Sequence, residues 1–190
     1  MPTTWVGLLR GVNVGGNTIK SADLVAALQD AGFARVKTVL ASGNVLVEGP
    51  NEGAAQEDSG RAEIRRRLES AIDVRYGYGV AVAVVRLDEM QAVIDAYPFD
   101  EVPDRHPYVT FATDRALIDA LAEEAAALRA EGPTAGAERL AVGDGVMYWE
   151  VAKGSSTDSP FAKISSRARY RTGAEAITTR NLRTLRKLVW

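Results

Sequence analysis

The sequence predicts an α+β protein of two β-α-β-β-α-β units followed by a C-terminal helix. Three observations lead there. Short apolar or β-branched runs alternate with stretches of helical period, a hairpin signal occurs once in each half, and the order of elements is the same in both halves.

Residues 5–9, with Trp5, Val6, Leu8 and Leu9, form a short apolar run that stops at Arg10 and Gly11, as a buried strand does. A glycine-containing loop follows through Asn13, Gly15, Gly16 and Asn17. Ser21 stands where a helix cap belongs, and Leu24, Val25 and Leu28 repeat on one helical face. Gly32 sits where a chain leaves a helix in the left-handed conformation. Residues 36–40 and 45–47 are β-rich, which predicts a hairpin turning at Ser42, Gly43 and Asn44. Residues 49–60 are polar and predicted as an exposed loop. Ile64, Leu68 and Ile72 mark a helix over 61–76, and 80–85 reads as a continuous apolar strand.

Asp88 with Gln91 three residues later has the spacing of a capping box that opens a connecting helix, ended before Pro98. Residues 108–112 read as a strand, and Asp114 caps a helix carrying Leu117, Ile118, Leu121, Ala125 and Leu128, closed by Gly132 and Pro133. Residues 139–142 and 146–151 flank Gly143, Asp144 and Gly145, an Asp-Gly hairpin signal. Ser159 with Pro160 opens a further helix. Residues 176–178 read as a short strand and 181–189 as the last helix, with Thr179 as its cap and Arg180 and Asn181 in its first turn. Leu182, Leu185 and Leu188 face inward there and the arginines outward. Each half is then the split βαβ arrangement of ferredoxin-like folds. The chain reads as an internal duplication, with a first subdomain at 1–98 and a second at 99–190.

The bulk numbers set limits on chemistry. Apolar residues are 46% of the 190, enough for a buried core. With no cysteine, disulfides, thiolate metal sites, Fe–S clusters and thiol nucleophiles are excluded. Met1, Pro2, Thr3 and Thr4 do not resemble a signal peptide, and no apolar run approaches the ~18 residues of a membrane span, so a cytoplasmic location is expected. The charge is uneven. Residues 160–190 hold eight basic residues against Glu175, a net of +7, which leaves −9 for the rest of a chain whose total is −2. Two readings stay open: an anionic partner, or neutralisation by the protein's own acids.

Candidate chemistry sits in loops. Glycines let a backbone approach a ligand, and helix starts attract anions. Gly11, Gly16, Asn17 and Thr18 approach a Walker A spacing, but Asn17 stands where the phosphate-reaching lysine belongs. Arg10 leaves an apolar strand and offers a planar fork for a carboxylate or phosphate, or for bracing the loop. The predicted site for a small anionic or phosphate-bearing ligand comprises Arg10, Asn13, Gly15, Gly16, Ser42, Asn44, Thr179, Arg180 and Asn181. Nucleic-acid binding through Arg183, Arg186 and Lys187 is the alternative, and an enzyme acting on a small acidic substrate is a third. No catalytic set is legible. His106 stands alone, Glu123 and Glu124 read as surface, no metal-ligand cluster appears, and no cofactor is expected. Tyr148 and Trp149 are adjacent in a strand and point to opposite faces, so they do not make an RNA-stacking pair.

The run Leu8, Leu9, Arg10, Gly11, Val12, Asn13, Val14, Gly15, Gly16 resembles the bacterial domain-of-unknown-function family 1697. Ala41 to Val45, then Tyr97, Pro98 and Phe99, then Thr178, Thr179, Arg180 and Asn181 followed by Thr184, Lys187 and Leu188 match it in the same order. The resemblance implies two ferredoxin-like subdomains and carries no activity, cofactor or partner. Leu182 stands where the family often has an aromatic, and Asn17 where it often has a basic residue after the glycine pair.

Overall fold

Eight strands and six α-helices form among the described residues of the computed structural model, which are 3–12, 19–40, 43–49, 57–130, 138–171 and 175–189. In chain order they are β1 (Thr3–Leu9), α1 (Ser21–Asp30), β2 (Val36–Thr38), β3 (Asn44–Gly49), α2 (Glu57–Tyr76), β4 (Val82–Arg86) and α3 (Leu87–Asp95). Then come β5 (Arg105–Ala112), α4 (Arg115–Ala130), β6 (Glu138–Val142), β7 (Met147–Ala152), α5 (Pro160–Ser165), a 3-10 turn (Ala168–Tyr170), β8 (Ile177–Asn181) and α6 (Leu182–Val189).

The strands make two four-stranded antiparallel sheets, ordered β2-β3-β1-β4 and β6-β7-β5-β8. The chain divides into two compact units, residues 1–91 with 187–190, and residues 92–186. In the first, α1 and α2 cover one face of the sheet. Leu24 and Leu28 from α1 and Ile64, Leu68 and Ile72 from α2 pack with Trp5, Leu9, Val45, Val47, Val82 and Val84. In the second, Leu121 and Ala125 of α4 and Phe161 and Ile164 of α5 pack with Tyr170, Met147, Trp149, Val151 and Ile177. Each large apolar side chain buried in this way is worth about 1.5–3 kcal/mol. The opposite faces are buried too, at Val6, Leu8 and Ala83 in the first sheet and Val109, Phe111 and Tyr148 in the second.

Helix ends show where local chemistry agrees with the sequence reading and where it departs. Gly32 has φ +86, and Phe33 N donates to Leu28 O at 3.1 Å while Gly32 N donates to Gln29 O at 2.9 Å, closing α1 with a Schellman motif. Ser159 Oγ accepts from Ala162 N at 3.2 Å with Pro160 at the first position, as expected. Asp114 Oδ1 accepts from Ala116 N at 2.7 Å. Ser21, in contrast, is the first helical residue, and Lys20 precedes it in extended conformation without a side-chain cap. At α3 the reciprocal bond comes from Glu89, whose Oε2 accepts from Arg86 N at 2.9 Å, so Glu89 takes the place assigned to Gln91. The loop expected over 49–60 is shorter at both ends. Gly49 closes β3 and residues 57–60 already belong to α2, while 50–56 lie outside the described residues. Gly132 and Pro133 also lie outside them.

The second unit carries a buried carboxylate with a structural task. Glu138 accepts from Trp149 Nε1 at 3.0 Å and from Phe161 N at 2.9 Å, so it serves the start of α5 beside Ser159 and fixes the indole in the core. Glu138→Ala leaves two buried donors unpaired, and a loss of about 2–4 kcal/mol is expected. Urea unfolding of the variant and parent measures it.

Candidate functional site

β1 is the route to the candidate site. Its last residues are bonded on both sides: Leu9 N donates to Gly43 O at 2.8 Å, and Arg10 N donates to Ala81 O at 2.9 Å. Leu8 pairs with Asn44 in the sheet, so Arg10 leaves the sheet beside the β2–β3 turn. Val12, just past β1, and Gly43 of the hairpin turn therefore meet. Gly43 has φ +70, and a Cβ there would stand 2.2 Å from Val12 Cγ2 and 3.3 Å from Leu9 O. On the other side of the turn Leu40 has φ 59 and is 47% exposed, an unusual conformation for a γ-branched side chain. A cavity of about 10 Å³, the room of a single water, is lined by Val12, Ser21, Thr38, Leu40, Gly43 and Asn44, among others.

Arg10 is partly exposed at this loop end. Asn44 is not a turn residue. It opens β3, is buried, and gives its Nδ2 to Val39 O at 2.9 Å, while its own carbonyl accepts from Val39 N at 3.0 Å. Its amide is thus engaged in holding the hairpin. Asn13, Gly15, Gly16 and Ser42 lie outside the described residues.

Thr179, Arg180 and Asn181 belong to the second unit and differ from expectation. β8 runs through all three, pairing Thr179 with Thr110, Arg180 with Val109 and Asn181 with Tyr108. Thr179 is not a helix cap. Its hydroxyl meets that of Thr110 at 2.8 Å. The cap is Asn181, whose Oδ1 accepts from Arg183 N at 2.9 Å, because continued pairing with β5 delays the helix and asparagine is the stronger capping residue. Arg180 therefore lies in a strand instead of a helical first turn, and its Nη1 donates to Thr178 Oγ1 at 2.6 Å and Thr179 O at 3.1 Å.

The basic C-terminal segment is partly neutralised at home. Arg186 donates to Glu101 at 2.5 Å, while Arg183 and Lys187 are exposed. Glu124, read as surface, accepts from Arg167 at 2.5 Å, Arg169 at 2.7 Å and the Tyr170 hydroxyl at 3.1 Å. Burial, together with that bond to Glu124, pushes the Tyr170 phenol up to about 12. Trp149 and Tyr148 are both buried. Trp149 stacks on Tyr108 with centroids 5.0 Å apart, and the Tyr148 hydroxyl donates to Val93 O at 2.9 Å, so neither presents a face for a base.

One polar cluster was invisible in the sequence. Glu150, 1% exposed, receives Arg139 through two bonds of 2.7 Å and has Arg105 at 3.4 Å. Arg139 also lies over the Phe99 ring at 4.8 Å, and Tyr97 packs edge-on against Phe99 and Tyr148. Burial and the nearby Glu150 charge raise the Tyr97 phenol above its usual range. Cross-strand register, which sets Arg139 opposite Glu150, is the missing signal. Among the described residues no group of His, Asp or Glu has the makings of a metal site, and no helix is long and apolar enough to cross a membrane.

A family model described as a protein of unknown function, DUF1697, matches residues 2–148. A comparison with curated proteins returns no match. Among solved structures, a conserved bacterial protein from Streptococcus pneumoniae, SP0830, is similar over 100% of this chain and 97% of that one, at 21% identity and a TM-score of 0.69. At that identity the likeness is one of fold.

Two measurements check this geometry. Gly43→Ala is expected to cost about 2–4 kcal/mol, the sum of a left-handed alanine and an overlap with Val12, read from the urea midpoint at unchanged slope. For Tyr170, the folded phenol holds its proton from pH 10.0, its ordinary value, up to about 12. Between those values the unfolded chain has released the proton and the folded one has not, so stability falls as pH rises. Tyr170→Phe should flatten part of that alkaline fall, seen by comparing unfolding curves across the window.

Proposed function

The chain belongs to the DUF1697 family, whose function is unknown, and from that premise we propose that it binds a small anionic or phosphate-bearing ligand at the loop end of its first unit. Arg10 is the anchor, with Asn13, Gly15, Gly16 and Ser42 as the proposed neighbouring contacts. The observation that supports the reading is the bond from Leu9 N to Gly43 O, which sets the end of β1 against Gly43 of the hairpin turn where Arg10 emerges. The Arg10 N–H bond to Ala81 O fixes the backbone from which its guanidinium reaches, and the planar fork suits an oxyanion. Asn44 supports the hairpin from beneath. Arg180, in the second unit, is proposed separately as an anion contact, for which Arg180→Ala in the same titrations is the test.

The reading includes an architecture and a setting. Each unit is taken as a ferredoxin-like β-α-β-β-α-β fold and the chain as an internal duplication joined near residue 98. The matching strand orders β2-β3-β1-β4 and β6-β7-β5-β8, with two helices on one face of each sheet, support it. A cytoplasmic setting is part of the proposal, since a chain without cysteine suits a reducing compartment.

Thermal unfolding with inorganic phosphate, nucleotides and small polycarboxylates tests the site. A ligand at a hundred times its Kd is expected to stabilise by about 2.7 kcal/mol. Arg10→Ala should remove most of the resulting rise in Tm, measured against the variant's own unliganded Tm. If every such ligand leaves Tm unmoved, or the Arg10 variant responds like the parent, the anion reading is wrong.

A further inference from the structure

A second binding surface lies on the helical side of the first unit and shares no residue with the loop end. A groove of about 440 Å³ is lined by Ala27, Asp30 and Ala31 around the end of α1 and by residues 66, 67, 70, 71, 74 and 75 of α2. We propose that it docks an acidic protein segment that also carries apolar side chains.

Charge points to the sign of the partner. The lining holds Arg66, Arg67 and Arg75 against Asp30. Arg67 is held in place. Its guanidinium lies 4.3 Å from the Phe33 ring centroid and its Nη2 donates to Ala31 O at 3.3 Å, at the helix end where a cation is favoured. A guanidinium has five N–H donors, so these contacts leave Arg67 able to bind an oxyanion in an orientation already set. Arg75 lies 5.9 Å from the Tyr76 ring centroid. Arg66 is bonded to Glu63 at 2.8 Å, an exposed pair on one helix face that is worth only about 0.5 kcal/mol and exchanges readily for another carboxylate.

Shape and polarity point to a chain segment. Arg67 and Arg75 are eight positions apart on α2, about 12 Å along the axis, farther than one phosphate or carboxylate reaches. Between them the lining is apolar apart from Ser70. Ala27, Ala31 and Ala71 supply methyl groups, and Val74 is 84% exposed on a helix whose other large apolar residues, Ile64, Leu68 and Ile72, are fully buried. Carboxylates spaced along a peptide, with an apolar side chain between them, match this order of features, whereas a small anion uses only one end of it.

The experiment uses the full chain with a labelled peptide of alternating Glu and Leu, a Gln/Leu counterpart, and inorganic phosphate as competitor, read by fluorescence anisotropy at low salt. The Glu/Leu peptide should bind, the Gln/Leu peptide should not, and phosphate at the same concentration should not displace it. Arg66→Glu with Arg75→Glu should weaken binding by about tenfold or more, and Val74→Asp should weaken it as well. These positions are exposed, so an unchanged unfolding temperature confirms that the fold survives. Arg67→Gln, checked the same way, tests the anchor. Absence of Glu/Leu binding, equal binding of the Gln/Leu peptide, displacement by phosphate, or full affinity in the double variant overturns the proposal.

Discussion

Residue 43 has no room for a side chain, and the first unit's loop end depends on that. β1 is a central strand, bonded to β3 on one side and β4 on the other. A central strand must hand over its last N–H groups without leaving any of them buried and unpaired. Leu9 meets this requirement through Gly43 O and Arg10 through Ala81 O. The first bond brings the turn so close that Val12 occupies the space of a Cβ on residue 43. Asn44 follows from the same closeness: once the turn is drawn in, its side chain is buried, and a buried amide needs a partner, which Val39 O provides. Leu40 takes up the remaining curvature with a left-handed backbone costing about 1–2 kcal/mol, offset by the bonds around it.

In the second unit carboxylates play the organising part. Glu138 serves an indole and a helix start, Glu150 two arginines, and Glu124 two arginines and a phenol. A carboxylate has about four lone-pair sites, so one acid can gather donors from several elements. Glu150 and its arginines differ from surface pairs in consequence. Glu150 is buried while Arg139 stays 43% exposed, so loss of the arginines strands a buried carboxylate, whereas loss of Glu150 leaves Arg139 in reach of water. These contacts also answer part of the charge asymmetry. Arg167, Arg169 and Arg186 lie in the basic C-terminal segment but meet acids from residues 101 and 124. For those three, the protein's own acidic part is the partner.

The order of strands and helices was legible because hydrophobic period reports directly on which face is buried. Leu24 and Leu28, Ile64, Leu68 and Ile72, and Leu182, Leu185 and Leu188 all occupy the buried positions their spacing requires. Caps were legible where a second signal fixed the helix start, as at Ser159, which Pro160 singles out from Ser155, Ser156, Thr157 and Asp158. They misled where no such signal chose between neighbouring candidates. Thr179 and Asn181 both have capping side chains, and only the length of the β8–β5 pairing decides between them. Pairing length and register are long-range quantities, and so is the meeting of Gly43 with Val12. The Glu150 cluster and the α1–α2 groove were hidden for the same reason, since Arg67 lies 34 positions beyond Phe33 in sequence yet rests on its ring.

What an arginine can do for a ligand depends on the kind of partner it already has. One that faces a carboxylate is half of a neutral pair, and a second anion must compete with the first. One that rests on an aromatic ring and a carbonyl, as Arg67 does, has its orientation fixed while its unit charge stays uncancelled by those partners. Two unit charges 4 Å apart attract by about 4 kcal/mol at the effective dielectric of a protein surface, so this difference in partner outweighs any count of basic residues. By that criterion the net basic charge of residues 160–190 is a poor guide to anion binding, because Arg167, Arg169 and Arg186 are matched to acids. On α2 the same criterion sets Arg61, Arg65 and Arg66, each facing a glutamate, apart from Arg67, whose ring and carbonyl partners do not cancel its charge.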